Sequence, residues 1–182
     1  MGKVSPEITQ ELRRWLAEQR IFFVATAPLA ADGHVNCSPK GGDTFRVLGP
    51  REAAYADLTG SGIETVAHLR ENGRIVLMFC ALAGPPKIVR LHGRGEAVAP
   101  GTAEFDRLRA EFPPLTGLRA IIRVRVERVS DSCGYAVPFH DYVGPREALD
   151  QWAEKRGPDG LAAYRREKNA RSIDDLPGLD GV

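Results

Sequence analysis

Only three cysteines occur in 182 residues, Cys37, Cys80 and Cys133, and none stands in a Cys-x-x-Cys spacing. That odd, scattered set excludes a disulfide framework and a cysteine-based zinc site, and it suits a reducing, cytoplasmic setting. Long apolar runs are missing too. None approaches the roughly 20 residues a membrane-spanning helix needs, and Met1 to Arg20 is a charged amphipathic stretch instead of a signal sequence. No membrane partner is expected. Charge of one sign is also lacking: 25 basic against 24 acidic side chains leave a net charge of +1. The bulk attraction that draws proteins to nucleic acids is therefore absent, although individual anion sites remain open. The four histidines, His34, His68, His92 and His140, show no His-x-x-x-His spacing and no acidic company, so no metal site is expected. Ser61 stands in Gly-Ser-Gly and not in a Gly-x-Ser-x-Gly elbow, which leaves a serine hydrolase without support.

What the chain does have is 43% apolar residues in a length that suits one domain over 1–182. A domain of this size buries about 70% of its unfolded surface and needs no covalent staple. Ser5-Pro6-Glu7 reads as a helix start with Ser5 as N-cap, and Ile8, Leu12, Trp15 and Leu16 share one face as far as Arg20. Ile21 to Ala27 and His34 to Ser38 flank an Asp32-Gly33 turn as an antiparallel pair; Thr44 to Leu48 and Ala53 to Leu58 flank Gly49-Pro50-Arg51 as another. A glycine-rich loop then opens a helix to about Arg70. The strands Arg74–Leu82 and Lys87–Ala99 follow, then a helix from Thr102 with Phe105, Leu108 and Phe112 aligned, then a strand Leu118–Val129. This order lacks βαβ alternation. It predicts a mainly β (α+β) fold, a six-stranded antiparallel barrel over about 15–130 with capping helices. Residues 131–182 form a C-terminal arm, helical from Pro145 to Asn169, with too little apolar surface for its own core.

The segment Tyr55-Ala-Asp-Leu-Thr-Gly-Ser-Gly-Ile-Glu-Thr65 is a strand, a glycine-rich loop and a helix start, where unpaired amides and the helix dipole favour a phosphate. Ser61 and Glu64 also match a capping box, which explains both without a ligand. A dinucleotide fingerprint is excluded, because Thr65 stands where its third glycine belongs. Arg46 in the preceding strand offers a bidentate fork for a phosphate. Arg90, His92 and Arg94 share one strand face, while Lys40 and Lys87 stand at strand ends.

These residues in this order resemble the pyridoxamine 5'-phosphate oxidase-like proteins, over roughly residues 15 to 130. The markers are Ile21-Phe-Phe-Val-Ala-Thr26, Asn36-Cys-Ser-Pro-Lys40, Arg46-Val-Leu48, the Tyr55 to Leu69 unit running into Arg70-Glu-Asn-Gly-Arg-Ile-Val-Leu-Met-Phe79, and Val89 to Val98. Cys133-Gly-Tyr-Ala-Val-Pro138 and Lys168 to Gly178 look like a functionally unassigned subgroup. The resemblance implies an FMN-binding split β-barrel working as a homodimer with flavin at the interface. Its phosphate would be held by Arg46, Ser61, Gly62 and Thr65, and its ring lined by Ser38, Lys40 and Lys87. The family's Ser-Arg-Lys run is replaced here by Ser61-Gly-Ile-Glu64, and its arginine-containing substrate signature by Ser172-Ile-Asp-Asp-Leu-Pro177, which argues against pyridoxine phosphate as substrate.

The resulting expectation is an FMN-dependent oxidoreductase acting on an unidentified small molecule, with Tyr135, His140, Lys168 and Asn169 on the substrate side. Two alternatives accompany it. One is a deazaflavin-dependent reductase. The other is a non-catalytic flavin- or haem-binding protein, with His92 or His140 as the axial haem ligand.

Overall fold

A computed structural model describes residues 2–179; Met1 and residues 180–182, the end of the expected arm, lie outside the described residues. The elements are β1 (Val4–Ser5), α1 (Gln10–Glu18), β2 (Ile21–Thr26), β3 (Asn36–Gly41), β4 (Phe45–Gly49), β5 (Glu52–Leu58), α2 (Glu64–Asn72), β6 (Arg74–Cys80), β7 (Ile88–Val98), α3 (Ala103–Arg109), β8 (Leu118–Ser132) and α4 (Ala148–Lys168). The mainly β, antiparallel architecture is the one the sequence predicts, with eight strands among the described residues in place of six. The extra count comes partly from β1, two residues that pair with β8.

The sheet runs β3-β2-β6-β7-β8-β5-β4, every pairing antiparallel. Its two end strands, β3 and β4, are not hydrogen-bonded to each other, and this is where the barrel is split. Side chains close the gap instead. Phe22 of β2, Phe45 of β4 and Phe79 of β6 lie 4.9–5.5 Å apart centroid to centroid, with the Tyr55 ring 5.7 Å from Phe22. Tilted ring pairs at such distances contribute about 0.5–1.5 kcal/mol each beyond their buried area. Strand alternation puts Val24, Tyr55, Leu77, Leu91, Ile122 and Val124 in this interior. Ala54, Ala56 and Ile121 face the other way and pack under α3 with Phe105, Leu108 and Phe112.

Two helix starts differ from expectation. Thr9 is the N-cap of α1, its side chain accepting from the Leu12 amide at 3.2 Å, because Ser5 is spent in β1 and in a local turn with Glu7. At α2 the capping box does not form: Ile63 is the N-cap residue and no side chain caps it. The arm also differs from one continuous helix. Gly157 adopts φ 65° before Pro158, a left-handed corner that suits glycine, and the chain doubles back. Trp152 and Tyr164 meet edge to face at 5.0 Å, with the Arg156 guanidinium over both rings. Ala153 and Leu161 bury this hairpin against Gly117, just ahead of β8. The arm packs on the barrel of its own chain.

Candidate functional site

Direct antiparallel partners point to the same side of a sheet, so the partners of β3 fix where its side chains go. Asn36 faces Thr26, Ser38 faces Val24 and Lys40 faces Phe22, all interior-facing residues of β2. The edge strand therefore turns a polar stripe into an otherwise apolar barrel. Asn36 Nδ2 donates to Thr65 Oγ1 at 3.0 Å and to Thr26 Oγ1 at 3.3 Å, and Ser38 Oγ donates to Asn36 Oδ1 at 3.0 Å. Lys40 Nζ reaches Asp57 at 3.0 Å.

Asp57 is the centre of a buried network. It also accepts from Arg119 Nε at 2.8 Å, and both residues are at least 95% buried. Burial pushes the Asp57 carboxyl up, but Arg119 and Lys40 outweigh that push and hold it below the usual carboxylate range. Arg119 has donors to spare. Nη1 bonds Gly60 O at 3.1 Å and Asn169 Oδ1 at 2.9 Å, and Nη2 bonds Gly62 O at 2.7 Å. Asn169 Nδ2 bonds Gly60 O at 2.9 Å. Arg165 Nε joins from the arm on Thr59 Oγ1 at 2.9 Å, with Nη2 near the carbonyls of Gly117 and Leu118.

A carbonyl and the next amide point in opposite directions across a trans peptide. With the Gly60 and Gly62 carbonyls drawn toward Arg119, the amides of Ser61 and Ile63 face the other side of the loop. None of the Ser61, Gly62 and Ile63 amides hydrogen-bonds any described residue. Ser61 and Gly62 are exposed, and α2 begins next door. Consecutive free amides at a helix N-terminus suit an anion such as a phosphate. Glu64 opposes it: its carboxylate stands beside Gly62, bonded at 3.4 Å to the Ile173 amide.

Two buried polar atoms in this region have no partner among the described residues, Tyr55 Oη and His68 Nε2. The Tyr55 hydroxyl lies beside Thr65 in the first turn of α2, and burial first, then the Asp57 charge, pushes its pKa well above 10.0. His68 Nδ1 is 3.0 Å from Thr26 Oγ1, and burial pushes its pKa down from 6.5, so the ring is neutral near pH 7.

The expected site residues thus divide. Ser38, Lys40, Ser61, Gly62, Thr65 and Asn169 come together at one end of the barrel. Arg46 does not join them. It projects from the α3 side, with its guanidinium over the Phe112 ring, paired to Asp43 at 2.5 and 2.9 Å and donating to Glu111 O at 2.7 Å. Its neighbour Phe45 takes the interior position, and strand alternation sends Arg46 outward. Lys87 lies over the Trp15 ring at 5.0 Å. Tyr135 is 84% exposed, His140 Nδ1 donates to Pro138 O at 3.1 Å on the surface, and Lys168 pairs with Glu167. The haem candidate His92 is half-buried between Arg90 and Arg128, and burial and those charges lower its pKa. Sequence reading passes over Asp57, Arg119, Arg165, Tyr55 and His68. A carboxylate inside Ala53-Ala-Tyr-Ala-Asp57 and an arginine opening Arg119-Ala-Ile-Ile122 were the available signals, since charges in apolar strands need partners.

The family model described as pyridoxamine 5'-phosphate oxidase matches residues 8–133. The pyridoxamine 5'-phosphate oxidase family protein ustO of Aspergillus flavus is 40% identical over 192 residues, covering 94% of this chain and 76% of that protein. Among solved structures, HupZ of Group A Streptococcus superposes with a TM-score of 0.51 at 24% identity, over 67% of this chain and 91% of HupZ. A FAD-binding protein from Mesorhizobium loti gives 0.50 at 16% identity, over 72% and 96%. The two structures share the fold, while the matched segment and the identity to ustO carry the relationship: the chain belongs to the pyridoxamine 5'-phosphate oxidase family.

Proposed function

We propose that this protein is an FMN-binding oxidoreductase, a cytoplasmic homodimer acting on a small molecule other than pyridoxine phosphate. The observation that carries this reading is the Gly60–Ile63 loop, where the Gly60 and Gly62 carbonyls are tied to Arg119 and Asn169 so that the free amides of Ser61 and Ile63 face the other way, next to Thr65. In a family member, that arrangement fits the terminal phosphate of FMN. A FAD-binding protein on the same fold supports a flavin in general.

Ser61, Gly62 and Thr65 would hold the phosphate, while Ser38 and Lys40 on the inward stripe of β3 would border the ring. Tyr55 Oη, which has no well-formed hydrogen bond among the described residues, supports a polar ligand at this end of the barrel, since leaving a buried hydroxyl unsatisfied costs up to about 1–3 kcal/mol. The flavin, when bound, supplies hydride or electron transfer. The chain itself supplies orientation, and the apolar interior behind Phe22, Phe45 and Phe79 excludes water. The expected substrate-side set narrows to Asn169 alone at the loop, with Tyr135, His140 and Lys168 on the outside surface.

The test is the absorption spectrum of the purified protein with its native mass and the identity of any released cofactor. Bound FMN on a mass near twice 19.9 kDa supports the reading. A colourless protein that takes up no FMN on titration overturns it, and a deazaflavin spectrum would move the cofactor assignment to that alternative.

A further inference from the structure

Resting on the phosphate reading above, we propose that Arg119, Arg165 and Asn169 are positioning residues for the cofactor phosphate, which makes the C-terminal arm a working part of the site. Three observations lead here. The first is mechanical. Asn169 and Arg119 together take the carbonyls of Gly60 and Gly62, with Ser61 O a further 3.5 Å from Asn169 Nδ2, and so aim the loop amides outward. Without those ties a glycine-rich loop has no reason to keep its carbonyls on one side.

The second is electrostatic. Under the loop stand three cations, Lys40, Arg119 and Arg165, against a single buried carboxylate, Asp57. Arg165 has no acidic partner among the described residues: its donors go to Thr59 Oγ1 and backbone carbonyls, and burial and the Arg119 charge lower its pKa. Arg119 is buried and Lys40 and Arg165 are half-buried, and an excess of positive charge withdrawn from water in this way favours an anion nearby. Glu64, at the loop edge, is the one acidic group of α2's first turn and works against the anion. The third is the wholly buried Tyr55 hydroxyl at the same helix start, which has the Thr65 side chain beside it but no well-formed hydrogen bond among the described residues.

The arm is anchored for this task. The Gly178 amide donates to Ala170 O at 2.9 Å and the Leu179 amide to Asn169 O at 3.1 Å, and a side chain at Gly178 would collide with the Asn169 carbonyl. Asn169, wholly buried, is thereby held from both sides. The loop itself, Ser61-Gly-Ile-Glu64, carries no cation, and the positive charge of this region sits behind it.

Riboflavin, which lacks the phosphate, separates phosphate recognition from general binding. FMN and riboflavin are titrated into the full-length protein and into N169A and R165Q, following flavin fluorescence, with thermal melts to confirm folding. The wild type should prefer FMN, and each variant should lose about tenfold or more in FMN affinity, the scale of one charge-assisted contact, with riboflavin affinity unchanged. R165Q, at a half-buried position, keeps the test open if N169A fails to fold. Equal losses for both flavins, or none, would overturn the positioning role while leaving an FMN-preferring wild type intact. A wild type that binds neither flavin would overturn this inference together with the cofactor reading beneath it.

Discussion

The Arg119 guanidinium of β8 donates to the Asn169 side-chain oxygen at the end of α4 across 2.9 Å in the buried interior. Fifty residues apart in sequence, the two meet only because the arm folds back at Gly157 onto the segment that precedes β8. The bond links the barrel's ion network to the loop and to the tail, so changes at one end should register at the other.

Asp57 holds that network together. Asp57→Ala leaves Arg119 and Lys40 in the interior without their carboxylate, and breaking a buried pair from one side costs about 3–5 kcal/mol. Chemical denaturation should show a loss of that size. A change under about 1 kcal/mol would mean that water reaches the pair.

Tyr55→Phe removes a buried hydroxyl that makes no well-formed hydrogen bond among the described residues, with only the Thr65 side chain beside it. The protein without flavin should be unaffected or more stable by up to about 1 kcal/mol. If the bound cofactor supplies the missing partner, flavin affinity should fall in the same variant, a split that melts with and without FMN would read.

Arg46 is tied to Asp43 and the Glu111 carbonyl on the α3 side of the sheet. Arg46→Ala should leave FMN affinity within about twofold of wild type and cost about 1–2 kcal/mol of stability, since the half-buried guanidinium also bonds the Glu111 and Phe45 carbonyls and packs on Phe112. A tenfold loss of FMN affinity would return Arg46 to the phosphate.

Glu64→Gln keeps the shape of the loop edge and removes its negative charge. FMN should bind about two- to fivefold more tightly, the scale of one charge near a helix start. Weaker binding would show that the Ile173 contact of Glu64 is needed to shape the site.

Two histidines give opposite pH signatures. Burial lowers the His68 pKa from 6.5, so the unfolded chain binds that proton more readily and stability falls as pH drops below about 6.5. His34 Nδ1 donates to the Asp174 carboxylate at 2.6 Å, and that hydrogen bond, with the Asp174 charge, raises the His34 pKa. That contribution is present below about 6.5 and fades as pH rises through the folded value. Melts between about pH 7.5 and 5.5 should therefore fall more steeply on the acid side in His34→Gln than in wild type, and less steeply in His68→Gln. Parallel curves for all three proteins would remove both histidines from the pH response.

Much of the fold could be read from the chain alone because it rests on local rules. Alternation in Ile21–Thr26, the Asp32-Gly33 turn, the Thr102 cap and the aligned Phe105, Leu108 and Phe112 each depend on neighbours a few residues away. Even the Gly60–Gly62 loop ahead of a helix was visible as an anion-binding shape. Pairings over long distances were not. Ser5 looked like a cap until β8 took it as a strand, and Ser61 and Glu64 looked like a capping box until the loop was drawn onto Arg119. Composition and order determine a split antiparallel barrel of this family. Which cations stand near the loop, why Arg46 is not among them, and how the arm enters the site are decided by tertiary structure, since strand parity and a chain reversal at Gly157 set which charges share the interior.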